Sequence, residues 1–316
     1  MRHRLKHLNK WVAFMLIGLT LLLSGCSELT VLDPKGPVAE SQRDLILYAL
    51  IFMLGIVVVV FTLFTIMVVK YRDKPNRKAE YKPDLHGNRK LETIWTIIPV
   101  MIVTALSIPT ISTIFDLEKP PEPSAEQGPL VIHATAADWK WFFSYPEQGI
   151  ETVNYLHIPT DRAIEFRLSS ADSMQALWIP ALGGQKYNMA GMHTTLYLQA
   201  DEPGVYQGRN SNFNGEGFAE QTFKVHAENS SDFQDWVEST QNTAPELTQD
   251  QYDALLEPGI VDTMAFSSTH LEWVDHGTKE GMDYSIERHR AEFAEQLHLE
   301  NGENHEHGPS EKEGGQ

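Results

Sequence analysis

The chain has 316 residues, a formal net charge of −18 and one cysteine, Cys26. That length accommodates one or two domains together with membrane segments, while the acidic balance argues against a nucleic-acid partner, which needs a basic face for phosphate. A lone cysteine rules out an intrachain disulfide framework and any multi-thiolate metal site. The charge is unevenly spread: residues 1–115 hold 14 Lys+Arg against 8 Asp+Glu, and residues 116–316 hold 11 against 35. Such asymmetry points to two environments.

The N-terminus opens with the basic run "MRHRLKHLNK", followed by the apolar stretch "WVAFMLIGLTLLL". This stretch is short for a bilayer span and reads as a targeting segment. It ends in "LSGC", Leu23 to Cys26, which resembles the lipobox of bacterial lipoproteins. The expectation is a signal peptide over residues 1–25, with Cys26 as a lipidated (palmitate-bearing) first mature residue and residues 26–44 as an external segment. Acylation would also account for a lone thiol outside the cytoplasm.

Leu45 to Val69 is an uncharged run of 25 residues, roughly 38 Å long as a helix and sufficient to cross a bilayer with tilt. Thr93 to Phe115 is a second uncharged run, containing Pro99 and Pro109. Membrane helices tolerate proline where neighbouring groups repair the lost hydrogen bonds. The loop between them, residues 70–92, carries eight Lys+Arg and four Asp+Glu. The positive-inside rule places it in the cytoplasm, so both flanking segments lie outside, in the periplasm. A Pro-rich linker over 116–128 leads to the external domain.

Five short runs rich in aromatic and β-branched residues follow: "LVIHATA" (130–136), "WKWFFSY" (139–145), "AIEFRLSS" (163–170), "TTLYLQA" (194–200) and "QTFKVHA" (221–227). Turn signals separate them, and the pattern predicts a Greek-key β-sandwich or barrel over 129–227. Residues 228–300 read as a helical extension. Ser231 and Thr248 are candidate N-caps there, and "DYSIERHRAEFAEQLHLE" (283–300) is a further helix. The tail, 301–316, has the composition of a disordered segment, and His298, His305 and His307 read as part of a solvated acidic end rather than a metal site.

Taken together, these features resemble subunit II of the haem–copper terminal oxidases. The stretches "NRKLETIWTIIP" (88–99), "ADWKWFFSYPEQGIETVNYLHIP" (137–159), "IPALGGQKYNMAGM" (179–192) and "EPGVYQGR" (202–209) carry the resemblance. It implies a two-helix transmembrane hairpin followed by a cupredoxin-like sandwich. In the cytochrome c oxidases of that family this domain holds a dinuclear copper centre, with a loop of the form C-x-E-x-C-x-x-x-H-x-x-M and an earlier histidine. In the present chain the loop positions hold Asn210, Asn212, Asn214, Phe218 and Gln221, and the earlier histidine position holds Gln175. Soft thiolate and imidazole ligands suit copper, and amides and a phenyl ring do not replace them. The resemblance therefore implies the quinol oxidase type, of the cytochrome bo kind. This chain would be a non-catalytic subunit of a proton-pumping complex, binding no metal itself. The haems and a copper ion would lie in subunit I, quinol (expected to be ubiquinol, with menaquinol open) would be the electron donor, and subunits I, III and IV would be the partners. A cytochrome c oxidase subunit with an altered copper site and a membrane-tethered assembly factor are the alternatives.

Three further positions carry expectations. Glu92 matches the family's glutamate at the cytoplasmic mouth of a proton channel, which makes it a proton-entry candidate. A helix-start carboxylate favoured by the helix dipole is the other reading. Trp139 and Trp141 read as packing and docking aromatics.

Overall fold

The computed structural model describes residues 29–72, 87–121 and 128–290. The expected signal peptide, Cys26, most of the loop expected in the cytoplasm, the tail and its histidines fall outside them.

Helix α1 spans Pro37–Tyr71 and α2 spans Arg89–Leu117. Both are long and apolar enough to cross a membrane. Each overruns its expected span, because a lack of charge marks only the lipid-facing stretch of a helix. Proline at the first position of α1 has a φ already suited to helix. The charged turns that follow are tied by Arg43 Nη2 to Glu40 Oε1 at 3.0 Å. The 35 residues of α1 would reach about 52 Å against a hydrocarbon core of about 30 Å, so its first turns stand clear of lipid. At the start of α2 the Asn88 side chain accepts from the N–H groups of Lys90 (3.0 Å) and Leu91 (3.4 Å), an N-cap that sets the helix going before its apolar run. Residues 70–92 are therefore not all loop, and Glu92 belongs to the first turn of α2. Pro109, within α2, has no N–H for the Ala105 carbonyl; Tyr48 Oη of α1 donates to it instead, at 3.4 Å.

Among the described residues, eleven strands form two sheets. They are β1 (Leu130–Ala137), β2 (Lys140–Tyr145), β3 (Ile150–Val153), β4 (Tyr155–Pro159), β5 (Ile164–Ser170), β6 (Gln175–Trp178), β7 (Lys186–Asn188), β8 (Thr194–Leu198), β9 (Gly204–Asn210), β10 (Thr222–Glu228) and β11 (Met264–Phe266). One sheet runs β11-β3-β2-β1-β5-β8 and the other β4-β10-β9-β6-β7. The pairs β1–β5 and β4–β10 are parallel and the remaining pairs antiparallel. This is the expected cupredoxin-like sandwich. Its core lies between the sheets, where Ile132, Trp141, Phe143, Phe166 and Leu168 meet Leu156, Ile158, Leu177, Phe223 and Val225.

The expected boundary at 227/228 does not hold, and the extension is not wholly helical. It contributes β11 to the edge of the first sheet, beside β3. Helices α3 (Ser230–Thr243) and α4 (Gln249–Leu256) follow the sandwich, and a further helix, α5, covers 279–290. Phe142 and Val153, on the outer face of that sheet, pack with Leu247, Tyr252, Leu256, Phe266 and Val274 of the extension. Strand β2 is thus buried on both faces, which is why Trp141, Phe142 and Phe143 follow one another without alternation. Thr248 caps α4 as expected, in a reciprocal capping box with Gln251. Ser231 is not a cap: α3 starts two residues earlier than that reading requires, and Asn229 takes the N-cap place.

The start of α1 is sewn onto the sandwich. Lys35 N donates to Ala181 O (2.8 Å), Ala39 N to Leu182 O (3.1 Å) and Asp201 N to Lys35 O (2.9 Å). Val38 enters the sandwich core. Gly36 makes this close approach possible, since a Cβ there would lie 1.9 Å from Gln199 O. Gly36→Ala should force the joint apart at a cost of about 1–3 kcal/mol, and so lower the thermal midpoint of the detergent-solubilised chain by several degrees. An unchanged midpoint would show that the joint is not a tight contact.

Candidate functional site

The positions singled out in the sequence gather at one end of the sandwich. Gln175 opens β6, Asn210 closes β9, Asn212 and Asn214 lie in the loop that follows, and Gln221 immediately precedes β10. Gln175, Asn210 and Gln221 are buried, at 0%, 2% and 1% exposure.

Their carboxamides satisfy one another. Gln221 Oε1 accepts from Asn210 Nδ2 (2.9 Å) and Asn214 Nδ2 (3.1 Å). Gln221 Nε2 donates to Gln175 Oε1 and to the carbonyls of Ala137 and Lys140, both at 3.2 Å. Asn210 Oδ1 takes the backbone N–H groups of Ala176 (3.0 Å) and Asn212 (2.9 Å). Asn212 stands at the rim, its side chain donating to Met174 O at 2.7 Å. Phe218 contributes only a half-buried ring, edge-on to exposed Phe213 at 5.5 Å.

A residue that sequence reasoning missed organises the set. Asp138, at the corner between β1 and β2, accepts at one oxygen from Ser173 Oγ (2.6 Å), Gln175 Nε2 (2.9 Å) and Asn214 Nδ2 (3.1 Å). Three donors on a single carboxylate oxygen form a charge-assisted cluster, stronger than neutral pairs. Lys140 is buried beside it and donates from Nζ to Asp138 O at 3.1 Å. Burial lowers its ammonium to about 8, against the opposing pull of Asp172 and Asp138. Burial also raises the Asp172 carboxyl, and Arg288, paired with it from α5, acts the other way. Nothing local in the sequence flags these residues, because the donors to the Asp138 carboxylate lie 35 to 76 positions away.

The glycines of the loop serve an indole. Trp139 Nε1 donates to Asn214 O at 3.0 Å. A Cβ on Gly217 would sit 2.4 Å from the ring, and Gly215 adopts a φ of +113 that favours glycine. Trp141 is fully buried in the core, edge-to-face with Phe223 at 5.4 Å. Both tryptophans therefore pack, as expected.

Glu92 stands apart from this cluster, exposed in the first turn of α2. Its Oε1 folds back over Gly87, where a Cβ would come within 2.5 Å. An acidic group there complements the helix dipole.

The side chains that converge at the loop are carboxamides, a serine hydroxyl and one carboxylate. This set is closed by its own hydrogen bonds and does not fit the sulfur- and imidazole-rich ligation of a dinuclear copper centre. Gln221→Leu should leave Gln175 Oε1 without its donor and take one hydrogen bond each from Asn210, Asn214 and the carbonyls of Ala137 and Lys140. It should destabilise the chain by about 3 kcal/mol in denaturant titration, and a neutral result would mean that the network is not closed through Gln221.

Comparison with known proteins places the chain in a family. Residues 24–113 match the family described as cytochrome c oxidase subunit II, transmembrane domain. The chain is 58% identical to quinol oxidase subunit 2 of Bacillus spizizenii over 281 residues, covering 89% of this chain and 87% of the relative. It is 57% identical to the Bacillus subtilis protein of that name over the same shares. Against that of Bacillus anthracis it is 47% identical, covering 89% and 97%. Among solved structures, the periplasmic domain of subunit II of cytochrome oxidase of Bradyrhizobium japonicum aligns at 23% identity and a TM-score of 0.35, over 36% of this chain and 94% of that one. At such identity over nearly nine-tenths of its length, the chain belongs to the quinol oxidase subunit 2 family.

Proposed function

We propose that the chain works as the metal-free second subunit of a proton-pumping quinol oxidase. Electrons would pass from quinol within the membrane to haems and a copper ion in subunit I, where O₂ is reduced to water. This chain would supply assembly and docking with subunits I, III and IV, and would take no part in electron relay. The amide cluster is the observation that carries the reading: the places a relay metal would need are filled by side chains already paired with one another and with Asp138. A donor such as cytochrome c, arriving at the outer surface, needs a relay in this domain; a quinol does not.

The basic loop 70–92 supports a cytoplasmic location for the turn between α1 and α2, which puts the sandwich outside. The small residues before Cys26 support lipidation there, on the same outer side. A single acyl chain anchors only marginally, so the two helices would hold the protein in the membrane.

One purified complex tests these points together. It should contain copper only at the level of the subunit I site, consume O₂ with ubiquinol or menaquinol, and show no turnover with reduced cytochrome c. The mass of this subunit should correspond to a chain beginning at acylated Cys26. Additional stoichiometric copper, or turnover with cytochrome c, would overturn the metal-free assignment, and retention of residues 1–25 would overturn the lipid anchor.

Glu92 is the candidate for proton entry. A titratable carboxylate at the membrane edge can gather protons from water and pass them inward. Glu92→Gln and Glu92→Ala should slow turnover per haem several-fold while leaving assembly and haem content intact, and Glu92→Asp should keep much of the rate. Normal turnover per haem in both the Ala and Gln forms would leave Glu92 with only its helix-start role.

A further inference from the structure

Away from the amide cluster, three side chains from distant parts of the chain come together: His133 on β1, His193 just before β8, and Asp275 in the extension. One ligand atom from each lies within 4.8 Å of the other two. His193 Nε2 is 3.0 Å from Asp275 Oδ2. The two imidazoles are nearly perpendicular, at 83° with centroids 5.4 Å apart, so their nitrogens can approach one point from different directions.

The surroundings hold these groups in place. Asp275 Oδ1 accepts from Gly277 N at 2.9 Å, which leaves Oδ2 for the histidines. Gly277 also backs the His193 ring, since a Cβ there would come within 2.2 Å of it. His133 is only 6% exposed, and its buried Nδ1 meets no hydrogen-bond partner. Buried polar atoms in native proteins are rarely left so, and an unpaired one calls for an explanation.

We propose that His133, His193 and Asp275 bind one divalent zinc-class ion, with water completing its coordination, and that the ion clamps the C-terminal extension to the sandwich. Two imidazoles and a carboxylate are the mixed N/O set that zinc accepts. Bonds near 2.0 Å in a tetrahedron place donor atoms about 3.3 Å apart, so a small inward shift of the looser ligand closes the site. The second histidine group, His157, His226 and Glu228, falls within the same 4.8 Å but differs in how its rings are set. There the rings are stacked at 9° and 4.6 Å, and their lone pairs run parallel rather than converging.

Zinc binding to the full chain in detergent tests the proposal, after chelator stripping and in a background of His298→Ala, His305→Ala and His307→Ala that removes binding by the tail. Equilibrium dialysis with Zn²⁺ alone should show about one saturable site per chain. Co²⁺ in its place should give the visible absorption of a tetrahedral site. His193→Ala and Asp275→Asn, each checked for an unchanged metal-free thermal midpoint, should weaken binding by at least about tenfold. His226→Ala should leave it unchanged. Zn²⁺ should slow proteolysis of the extension in the background chain but not in the His193→Ala form. Absence of a saturable site, or binding that survives His193→Ala and is lost in His226→Ala, would overturn the assignment.

Discussion

A single carboxylate oxygen, Asp138 Oδ1, accepts from Ser173, Gln175 and Asn214, and so joins the β1–β2 corner to the approach and start of β6 and to the loop after β9. Gln221 continues the connection, reaching back to the carbonyls of Ala137 and Lys140 from the start of β10. Strands of both sheets are held together at this end by hydrogen bonds between groups that would otherwise be buried and unpaired. A network of this kind is stable only when closed, since each missing member exposes its neighbours to the full cost of desolvation. This constrains what the loop can hold. Trp139 lies across the loop glycines and bonds to Asn214 O, so the frame of a metal loop is kept in shape by an indole and by amides.

The first sheet is covered on both sides, which makes the extension part of the domain. Its outer face carries the fully buried pair Glu151–His270, 2.7 Å apart. The carboxylate also accepts from Ser144 Oγ at 2.7 Å and from His270 N at 3.1 Å. Burying polar groups is costly unless they are hydrogen-bonded, and here β2, β3 and the extension supply the partners of Glu151 Oε2. Tyr252 stacks on His270 at 4.5 Å and closes the layer. The proposed clamp at His133, His193 and Asp275 would fasten this same layer at a second place.

The joint between hairpin and sandwich ties the two parts of the chain together. The first turns of α1 rise out of the lipid and end in backbone hydrogen bonds to the loop after β6 and the segment after β8. Within the hairpin, Tyr48 supplies the donor that Pro109 withholds. A hairpin fixed at one end in this way gives the sandwich a set position relative to the two helices.

Much of this was legible in the amino-acid order. Length, lack of charge and the basic loop marked two spans, because the cost of placing charge in lipid acts on composition directly. The aromatic and β-branched runs marked five strands, and the substitutions at Gln175, Asn210, Asn212, Asn214, Phe218 and Gln221 marked a loop without soft ligands. Helix ends were misjudged, since the turns around Glu40 and Glu92 are held by an ion pair, a side-chain cap and docking, none of which alters hydropathy. The role of Asp138 was invisible, as was the meeting of His133 with Asp275. These groups are separated by tens of residues or more, and only the pairing of strands and the wrapping of the extension bring their side chains together. A sequence records which groups are available for long-range contact; the closing of the sheets decides which of them meet.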